Sequence, residues 1–351
     1  MAASQMPKKL GSYEVGRRLG RGGMGEVFLA THALLGRPVA IKRFAPERSR
    51  SGPEEMAERF IREGKALAEL SHQHIVGIHD LIANEEAMYM VLDYVDGADV
   101  ASLLDEGGAF PIEVAAIVAL KTAEALQCAH YNRIIHRDIK GGNVMISRSG
   151  EVKLMDFGVA LDERLDAMTE TGLVVGTPMY VAPEVISGEP ATERSDLYAL
   201  GVLLYAMLSG KRPYEHARNQ EHMFKLILAG RYRSLSRVVG NVPRALRLIV
   251  ERLLHRKVER RYSSAAEVRQ ALEIFLASQQ VWANHEARLV AFMREQGHLT
   301  EQEADSWLED DDSDLFSIPA QAQPAQRPTL WMGLGVAATL TILGLAWFLG
   351  G

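Results

Sequence analysis

The chain has 351 residues, a length typical of one large domain or of two lobes. Hydrophobic residues make up 47% of it and charged residues 24%, which is a globular composition and excludes a wholly disordered chain. The net charge of −6 excludes a broadly basic nucleic-acid binder, and the single cysteine, Cys128, excludes an internal disulfide.

The first third of the chain is predicted to be rich in β-strands. A polar tail over residues 1–12 is followed by strand patterns at 13–19, 26–30, 38–44, 75–81 and 88–94, and by one helix at 51–70. The pattern changes near Gly97, after which long amphipathic helices are predicted at 111–131, 196–209 and 243–254. We therefore expect a small β-rich lobe, residues 13–97, and a larger helical lobe, residues 98–278.

The C-terminal part is predicted to be a linker, residues 279–329, followed by a transmembrane helix, residues 330–349. The linker is helical to about residue 309, and Thr300 and Glu303 have capping-box spacing. Eight acidic residues and no basic one lie in 301–314, and a Pro/Gln-rich stretch follows. Residues 330–351 carry no charge, and about 20 helical residues span roughly 30 Å, the thickness of the hydrocarbon layer. A buried core helix is the less favoured alternative, because the apolar run is too long and uniform.

A glycine-rich segment lies between the first two predicted strands. Residues 20–27 read GRGGMGEV, and glycines without a Cβ let backbone N–H groups approach phosphate closely. A dinucleotide-binding fold would need a helix directly afterwards, whereas a strand follows here. This segment alone does not exclude a plain hairpin. The next strand carries VAIK at residues 39–42, and its alternation brings Ala40 and Lys42 to the face beneath the glycines.

Four further motifs follow in order: HRDIKGGN at 136–143, DFG at 156–158, GTPMY at 176–180 and APE at 182–184. Each is common by itself, but the ordered set with this spacing is specific. Phosphoryl transfer needs a cation, metal-binding acids, a carboxylate facing the hydroxyl and a phosphate cradle, and all of these residue types are present. Over residues 13–276 the chain resembles the eukaryotic-like (Hanks-type) Ser/Thr protein kinases of bacteria.

The resemblance implies an α+β, bilobal protein kinase fold, with a β-rich N-lobe, a helical C-lobe and ATP between them, to which the sequence adds the C-terminal transmembrane helix. It also implies residue roles in catalysis. Lys42, held by Glu63, contacts the phosphates, Asp138 orients the substrate hydroxyl, and Lys140 neutralises the transferred group. Asn143 and Asp156 hold Mg²⁺, with Mn²⁺ as an alternative metal.

The same resemblance implies the nucleotide-binding residues. Gly20, Gly22 and Gly25 cover the phosphates, and the backbones of Asp93 and Val95 meet the adenine edge. The remaining nucleotide-binding positions that it implies are Leu19, Val27, Ala40 and Met145, with Leu92 at the back of the pocket.

Outside the site, the resemblance implies structural roles. Asp196 accepts backbone N–H bonds from the catalytic loop, and Glu184 and Arg261 form a buried pair. The apolar residues linking the lobes are Leu67, Ile78, His136 and Phe157, which makes His136 structural. His72, His74 and His79 are interpreted as part of a helix-to-strand linker, with a metal site as the less favoured alternative.

We therefore expect a Ser/Thr protein kinase that uses ATP and acts on protein hydroxyls. Autophosphorylation is expected at one or both of Thr169 and Thr171, because a phosphate there would pair with Arg137; solvated loop threonines are the alternative. We expect single-pass anchoring in the cell membrane with a cytoplasmic kinase domain, and no nucleic-acid partner. The small residues Gly333 and Ala337 leave a homodimer open. The competing interpretation is a pseudokinase scaffold, which usually lacks one of Lys42, Asp138, Asn143 and Asp156.

Overall fold

The computed structural model describes residues 6–22, 25–44, 53–83, 87–157, 178–281 and 283–309. The chain divides into two units, Met1–Asp310 and Asp311–Gly351, and the described residues belong to the first. Within these ranges no helix is long and apolar enough to cross a membrane. The predicted transmembrane helix at 330–349 and the predicted phosphosites Thr169 and Thr171 lie outside the described residues.

An antiparallel sheet of six strands forms the N-lobe, in the order β1-β2-β3-β4-β6-β5. The strands are β1 Lys9–Leu10, β2 Tyr13–Gly22, β3 Gly25–His32, β4 Pro38–Phe44, β5 Ile78–Ala83 and β6 Met88–Asp93. Alternation along β4 sends Val39 and Ile41 into the core on one face, as period-2 side chains require. The sheet begins inside the predicted tail, because Leu10 pairs with Tyr13 and both side chains are buried.

Helix α1, Pro53–Ala68, is the one helix that the structure places within the N-lobe ranges it describes. Phe60 on its inner side packs against Phe44 of β4, with ring centroids 5.0 Å apart. Two methionines of β6 complete this small apolar cluster, which holds the helix against the sheet. The predicted helix at 51–70 is thus confirmed within two residues at each end.

The C-lobe is built around α3, Ile112–Tyr131, and α5, Glu193–Ser209. Both were expected to be amphipathic, and that expectation was wrong. Their apolar residues occupy the whole circumference, so both helices are buried on nearly all sides. The surrounding helices are α2 Val100–Gly107, α4 Pro183–Ile186, α6 Gln220–Ala229, α7 Leu235–Val238, α8 Arg244–Leu253 and α9 Ala265–Ser278.

A small three-stranded sheet lies where the lobes meet: β7 Gly97–Asp99, β8 Val144–Ser147 and β9 Val152–Leu154. The predicted hairpin over residues 144–154 is therefore confirmed. Leu154 at the end of β9 joins the lobes through two backbone bonds, one from its N–H to the His74 carbonyl (2.9 Å) and one from the Val76 N–H to its carbonyl (3.0 Å). The chain leading to Asp156 is thereby fixed to both lobes.

Two helices, not one continuous helix, occupy the helical part of the predicted linker: α10 His285–Glu295 and α11 Glu301–Glu309. Gly297, with φ +79°, ends α10, because a left-handed residue after a helix is easiest for glycine. The predicted Thr300–Glu303 capping box starts α11. Phe292 packs on Phe110 at 4.7 Å and Glu303 pairs with Arg148 at 2.7 Å, so these helices belong to the C-lobe surface.

Candidate active site

One face of the N-lobe sheet carries the predicted nucleotide-binding residues. Val27 of β3 lies opposite Lys42 of β4, and Ala40 of β4 lies opposite Leu92 of β6. Residues opposite each other across antiparallel strands share a face, as do residues two apart on one strand. The register therefore brings these four side chains together above the C-lobe.

The predicted glycines lie at the end of this face, on the hairpin of β2 and β3. Gly20 pairs with Val27 and Gly22 pairs with Gly25, while the tip, residues 23–24, lies outside the described residues. Gly25 has φ +143°, and a Cβ there would overlap the Arg43 carbonyl oxygen. Only glycine therefore fits where the hairpin passes β4. Leu19, just before the glycines, is partly exposed.

Lys42 reaches from the sheet to the chain that follows β9. Its ammonium lies 2.7 Å from Oδ1 of Asp156, and its side chain is only 7% exposed. The same residues line a cavity with apolar walls that include Ile78, Met90 and Phe157. A buried cation paired with a carboxylate at the rear of a cleft can bind a second anionic group. Glu63 is half-buried on α1, and its predicted pairing with Lys42 stays a prediction.

The catalytic loop places Asp138 between two side chains of the same loop. Lys140 Nζ lies 2.7 Å from Asp138 Oδ2, and the Asn143 amide group donates to Asp138 Oδ2 at 3.0 Å and to its carbonyl at 2.7 Å. Asn143 ends a single 3₁₀ turn, Gly141–Asn143, and is buried. The two glycines of that turn therefore leave Asp138 and Asn143 within hydrogen-bonding distance of each other.

A backbone bond brings this loop next to Asp156. The Met155 N–H donates to the Asn143 carbonyl at 2.9 Å, and His136 Nε2 donates to the Met155 carbonyl at 2.9 Å. Burial lowers the pKa of His136, with nearby carboxylates acting in the opposite direction, so the ring is neutral and structural. Its ring lies 4.5 Å from that of Phe157, as predicted for the apolar contact between the lobes.

Asp196 supports the loop from beneath, which confirms the predicted role. Its buried carboxylate accepts the N–H of His136 and the N–H of Arg137, both at 2.8 Å, and contacts His130 Nε2 at 2.9 Å. Arg137 has φ +65°, a conformation that non-glycine residues adopt rarely. Two bonds to one buried carboxylate hold the backbone in that conformation.

The residues predicted to bind metal have oxygens suited to a hard divalent cation. Asn143 uses its amide hydrogens on Asp138, and its Oδ1 accepts no hydrogen bond from another described residue. Asp156 gives Oδ1 to Lys42, and its Oδ2 likewise has no partner within the described ranges. An amide oxygen and a carboxylate oxygen fit Mg²⁺ that keeps water and phosphate ligands.

The adenine positions on the C-lobe side also lie at the cleft. Met145 of β8 pairs with Asp99 of β7, directly after the segment that joins the lobes. Asp93 and Val95 lie in that segment, which leaves β6 at Asp93. Leu92, at the back, lines the same cavity as Lys42.

The predicted pair of Glu184 and Arg261 is present in the C-lobe. Two parallel bonds of 2.7 and 2.8 Å join the guanidinium to the carboxylate, and both side chains are buried. Burial raises the pKa of Glu184, but the Arg261 guanidinium and the Ser195 hydroxyl outweigh this effect and lower it overall.

Comparison with known proteins agrees with this geometry. The protein kinase domain family matches residues 13–274, which is most of the chain. The chain belongs to the protein kinase family. The match covers every strand of the N-lobe sheet from β2 onward and the C-lobe through most of α9.

Two of its relatives are bacterial kinases of greater length. It is 41% identical over 209 residues to a probable serine/threonine-protein kinase of Corynebacterium efficiens, covering 58% of this chain and 31% of that protein. It is 36% identical over 279 residues to the serine/threonine-protein kinase Pkn1 of Myxococcus xanthus, covering 77% and 39%. The chain thus spans about a third of the length of these relatives.

A solved structure extends the likeness. The crystal structure of Rad53 1-466 in complex with AMP-PNP superposes with a TM-score of 0.63 at 25% identity, covering 74% of this chain and 64% of that one. The bilobal kinase fold is therefore established by family, relatives and structure.

Proposed function

We propose that this protein is an ATP-dependent Ser/Thr protein kinase that transfers the γ-phosphoryl group to protein hydroxyls. One observation carries the proposal. Lys42 of the N-lobe contacts Asp156, and the residue before Asp156 is bonded to the loop that carries Asp138. A phosphate-binding cation, two metal-binding positions and a carboxylate for the hydroxyl therefore border one cleft.

Each residue has a role that follows from its contacts. Lys42 and the glycine hairpin bind the phosphates, and Asn143 and Asp156 would hold Mg²⁺, which neutralises phosphate charge when bound. Asp138 accepts a hydrogen bond from the substrate hydroxyl and so orients its oxygen toward the terminal phosphorus. Lys140, 2.7 Å from Asp138, would neutralise charge on the transferred group, as the resemblance implies for a Ser/Thr substrate.

The finer proposals concern regulation and location. Autophosphorylation at Thr169 or Thr171 would supply an anion for Arg137, whose backbone Asp196 holds beside the catalytic Asp138. The uncharged segment 330–349 would anchor the protein in the cell membrane, with the kinase domain on the cytoplasmic side, where ATP is available. Deleting residues 330–351 should then move the protein from the membrane fraction to the soluble fraction.

The test of activity is transfer of label from γ-labelled ATP to a protein substrate, followed by phosphoamino-acid analysis. The full chain should produce labelled Ser or Thr, and Asp138→Asn should reduce the label by about 100-fold or more. Asp105→Asn, at an exposed position of α2, is the matched control. Equally low incorporation by wild type and Asp138→Asn would favour the pseudokinase scaffold instead.

A further inference from the structure

The side chain of Asp93, at the end of β6, is held by three donors from two parts of the N-lobe. Arg37 Nη2 and His79 Nε2 each lie 2.8 Å from its Oδ1, and the Gly77 N–H donates to its Oδ2 at 2.9 Å. The Asp93 N–H in turn donates to the Gly77 carbonyl at 3.0 Å. Both the side chain and the backbone of Asp93 are therefore fixed. We call these four residues the Asp93 cluster.

The backbone around the cluster is shaped to make these contacts. Ile78 pairs with Leu92 while Asp80 pairs with Val91, so His79 is the extra residue of a β-bulge. A bulge redirects a side chain, and here the imidazole contacts the carboxylate of Asp93. A Cβ at Gly77 would lie 2.8 Å from Asp93 Oδ2, closer than real Cβ contacts come. Glycine at position 77 thus leaves the space that the carboxylate occupies.

The ion pair between Arg37 and Asp93 has little to contribute to the stability of the lobe. The Arg37 side chain is 58% exposed, and ion pairs at such positions stabilise folded proteins only slightly. The cluster instead fixes the position of Asp93, the residue at which the chain leaves the sheet and enters the segment between the lobes. The family resemblance implies that the backbone of this residue and that of Val95 meet the adenine edge.

We propose that Arg37 and His79 are positioning residues that fix the adenine-reading backbone through Asp93 and thereby set the preference for ATP over GTP. The inference rests on the proposed function. Adenine presents an amino donor where guanine presents a carbonyl acceptor. A backbone carbonyl fixed at this place can therefore accept a hydrogen bond from adenine but not from guanine. Hydrogen bonds weaken steeply with misalignment, so a backbone that is free to shift loses this selectivity.

The test compares nucleotide binding by the full chain and the Arg37→Ala and Gly77→Ala variants. Kd is measured by calorimetry for ATP and GTP with Mg²⁺, and KM and kcat are measured with both nucleotides. The dissociation constant and KM for ATP should rise roughly fivefold, corresponding to the loss of about one hydrogen bond. The constants for GTP and kcat should stay within about twofold, because base discrimination alone is affected.

Two further variants separate positioning from general damage. Arg269→Ala removes an ion pair of similar length, 2.7 Å, from α9 and should leave both nucleotides unaffected. Asp93→Ala removes the carboxylate that accepts from Arg37. Adding Arg37→Ala to Asp93→Ala should raise Kd for ATP no further, because both changes remove the same contact.

The outcomes distinguish this inference from the proposed function. Equal weakening of ATP and GTP in Arg37→Ala, a fall in kcat with KM unchanged, or an additive double variant would overturn the positioning role. If the wild type binds ATP but labels no protein, the proposed function fails, and the ratio of the two dissociation constants still decides the role of the Asp93 cluster.

Discussion

Arg261 should be the most damaging position for substitution in the C-lobe. Its side chain has no exposed surface, and it makes four hydrogen bonds: two to Glu184, one to the Arg194 carbonyl and one to the His255 carbonyl. It also lies over the Tyr198 ring at 4.9 Å. Arg261→Met fills a similar volume but leaves the buried Glu184 carboxylate with Ser195 as its remaining side-chain partner within the described residues.

The expected magnitude follows from burial. Removing one partner of a buried ion pair destabilises a protein by about 3–5 kcal/mol, because the other charge stays buried and unpaired. For a domain of this size, the midpoint of thermal unfolding should fall on the order of 10 °C. The double variant Glu184→Met with Arg261→Met should recover part of this loss, since apolar replacement of a whole buried pair is often nearly neutral.

The assay is thermal unfolding of the full chain in one mild detergent, as a function of pH. Because the pKa of Glu184 is lowered in the folded protein, its ionised form stabilises the fold above the unfolded-state pKa, and this contribution is lost as pH falls through the folded pKa. In Arg261→Met the carboxyl has lost that partner, so burial should raise its pKa and acid should relieve the strain. The difference between wild type and variant should therefore narrow from pH 7 to pH 4.

Lys225→Ala is the control, because it removes an exposed pair with Glu221 and should shift the midpoint by less than about 2 °C. A shift of the unfolding midpoint by less than about 2 °C in Arg261→Met would refute the reasoning. So would a difference in midpoint between wild type and Arg261→Met that does not change with pH.

Three other predictions concern the loop, the hairpin and the C-terminal helices. Asp196→Ala leaves two buried donors and one partly buried donor without their acceptor, at about 1–3 kcal/mol for each buried one, so both the unfolding midpoint and kcat should fall, whereas Asp105→Ala should change neither. Gly25→Ala should raise KM for ATP about tenfold by displacing the hairpin from the Arg43 carbonyl, and Gly240→Ala, where a Cβ meets no neighbour, should not. A chain ending at residue 281 should melt well below one ending at 309, because it loses the buried side chains of α10 at about 1.5–3 kcal/mol each; equal midpoints would contradict this.

The sequence was most informative where periodicity and motif spacing act together. The strand at residues 38–44 was predicted with its observed bounds, and the predicted alternation brings Lys42 and Ala40 to one face of β4. Asp138 and Asn143 could be placed on one loop because only four residues separate them. Their partnership with Asp156 depended on the resemblance, since no local rule gives the bond between Met155 and Asn143.

Contacts between distant segments that the family resemblance does not imply could not be predicted. Arg37, Gly77 and His79 have no shared motif, and their convergence on Asp93 depends on strand register and on a bulge that periodicity does not reveal. The short strand β1 was assigned to the tail, because two residues carry no detectable period. The break between α10 and α11 had one local signal, Gly297, which is favoured after the end of a helix.

The most direct test of the central claim separates ATP binding from phosphoryl transfer in single-turnover experiments. The Kd of Asp138→Asn for ATP should lie within about threefold of the wild-type value. With ATP and Mg²⁺ saturating, the same variant should transfer label at least about 100-fold more slowly than wild type. Asp156→Asn should in addition lose the Mg²⁺ dependence of ATP binding. Transfer by Asp138→Asn at the wild-type rate, or Mg²⁺-dependent binding unchanged in Asp156→Asn, would contradict the assignment of this cleft.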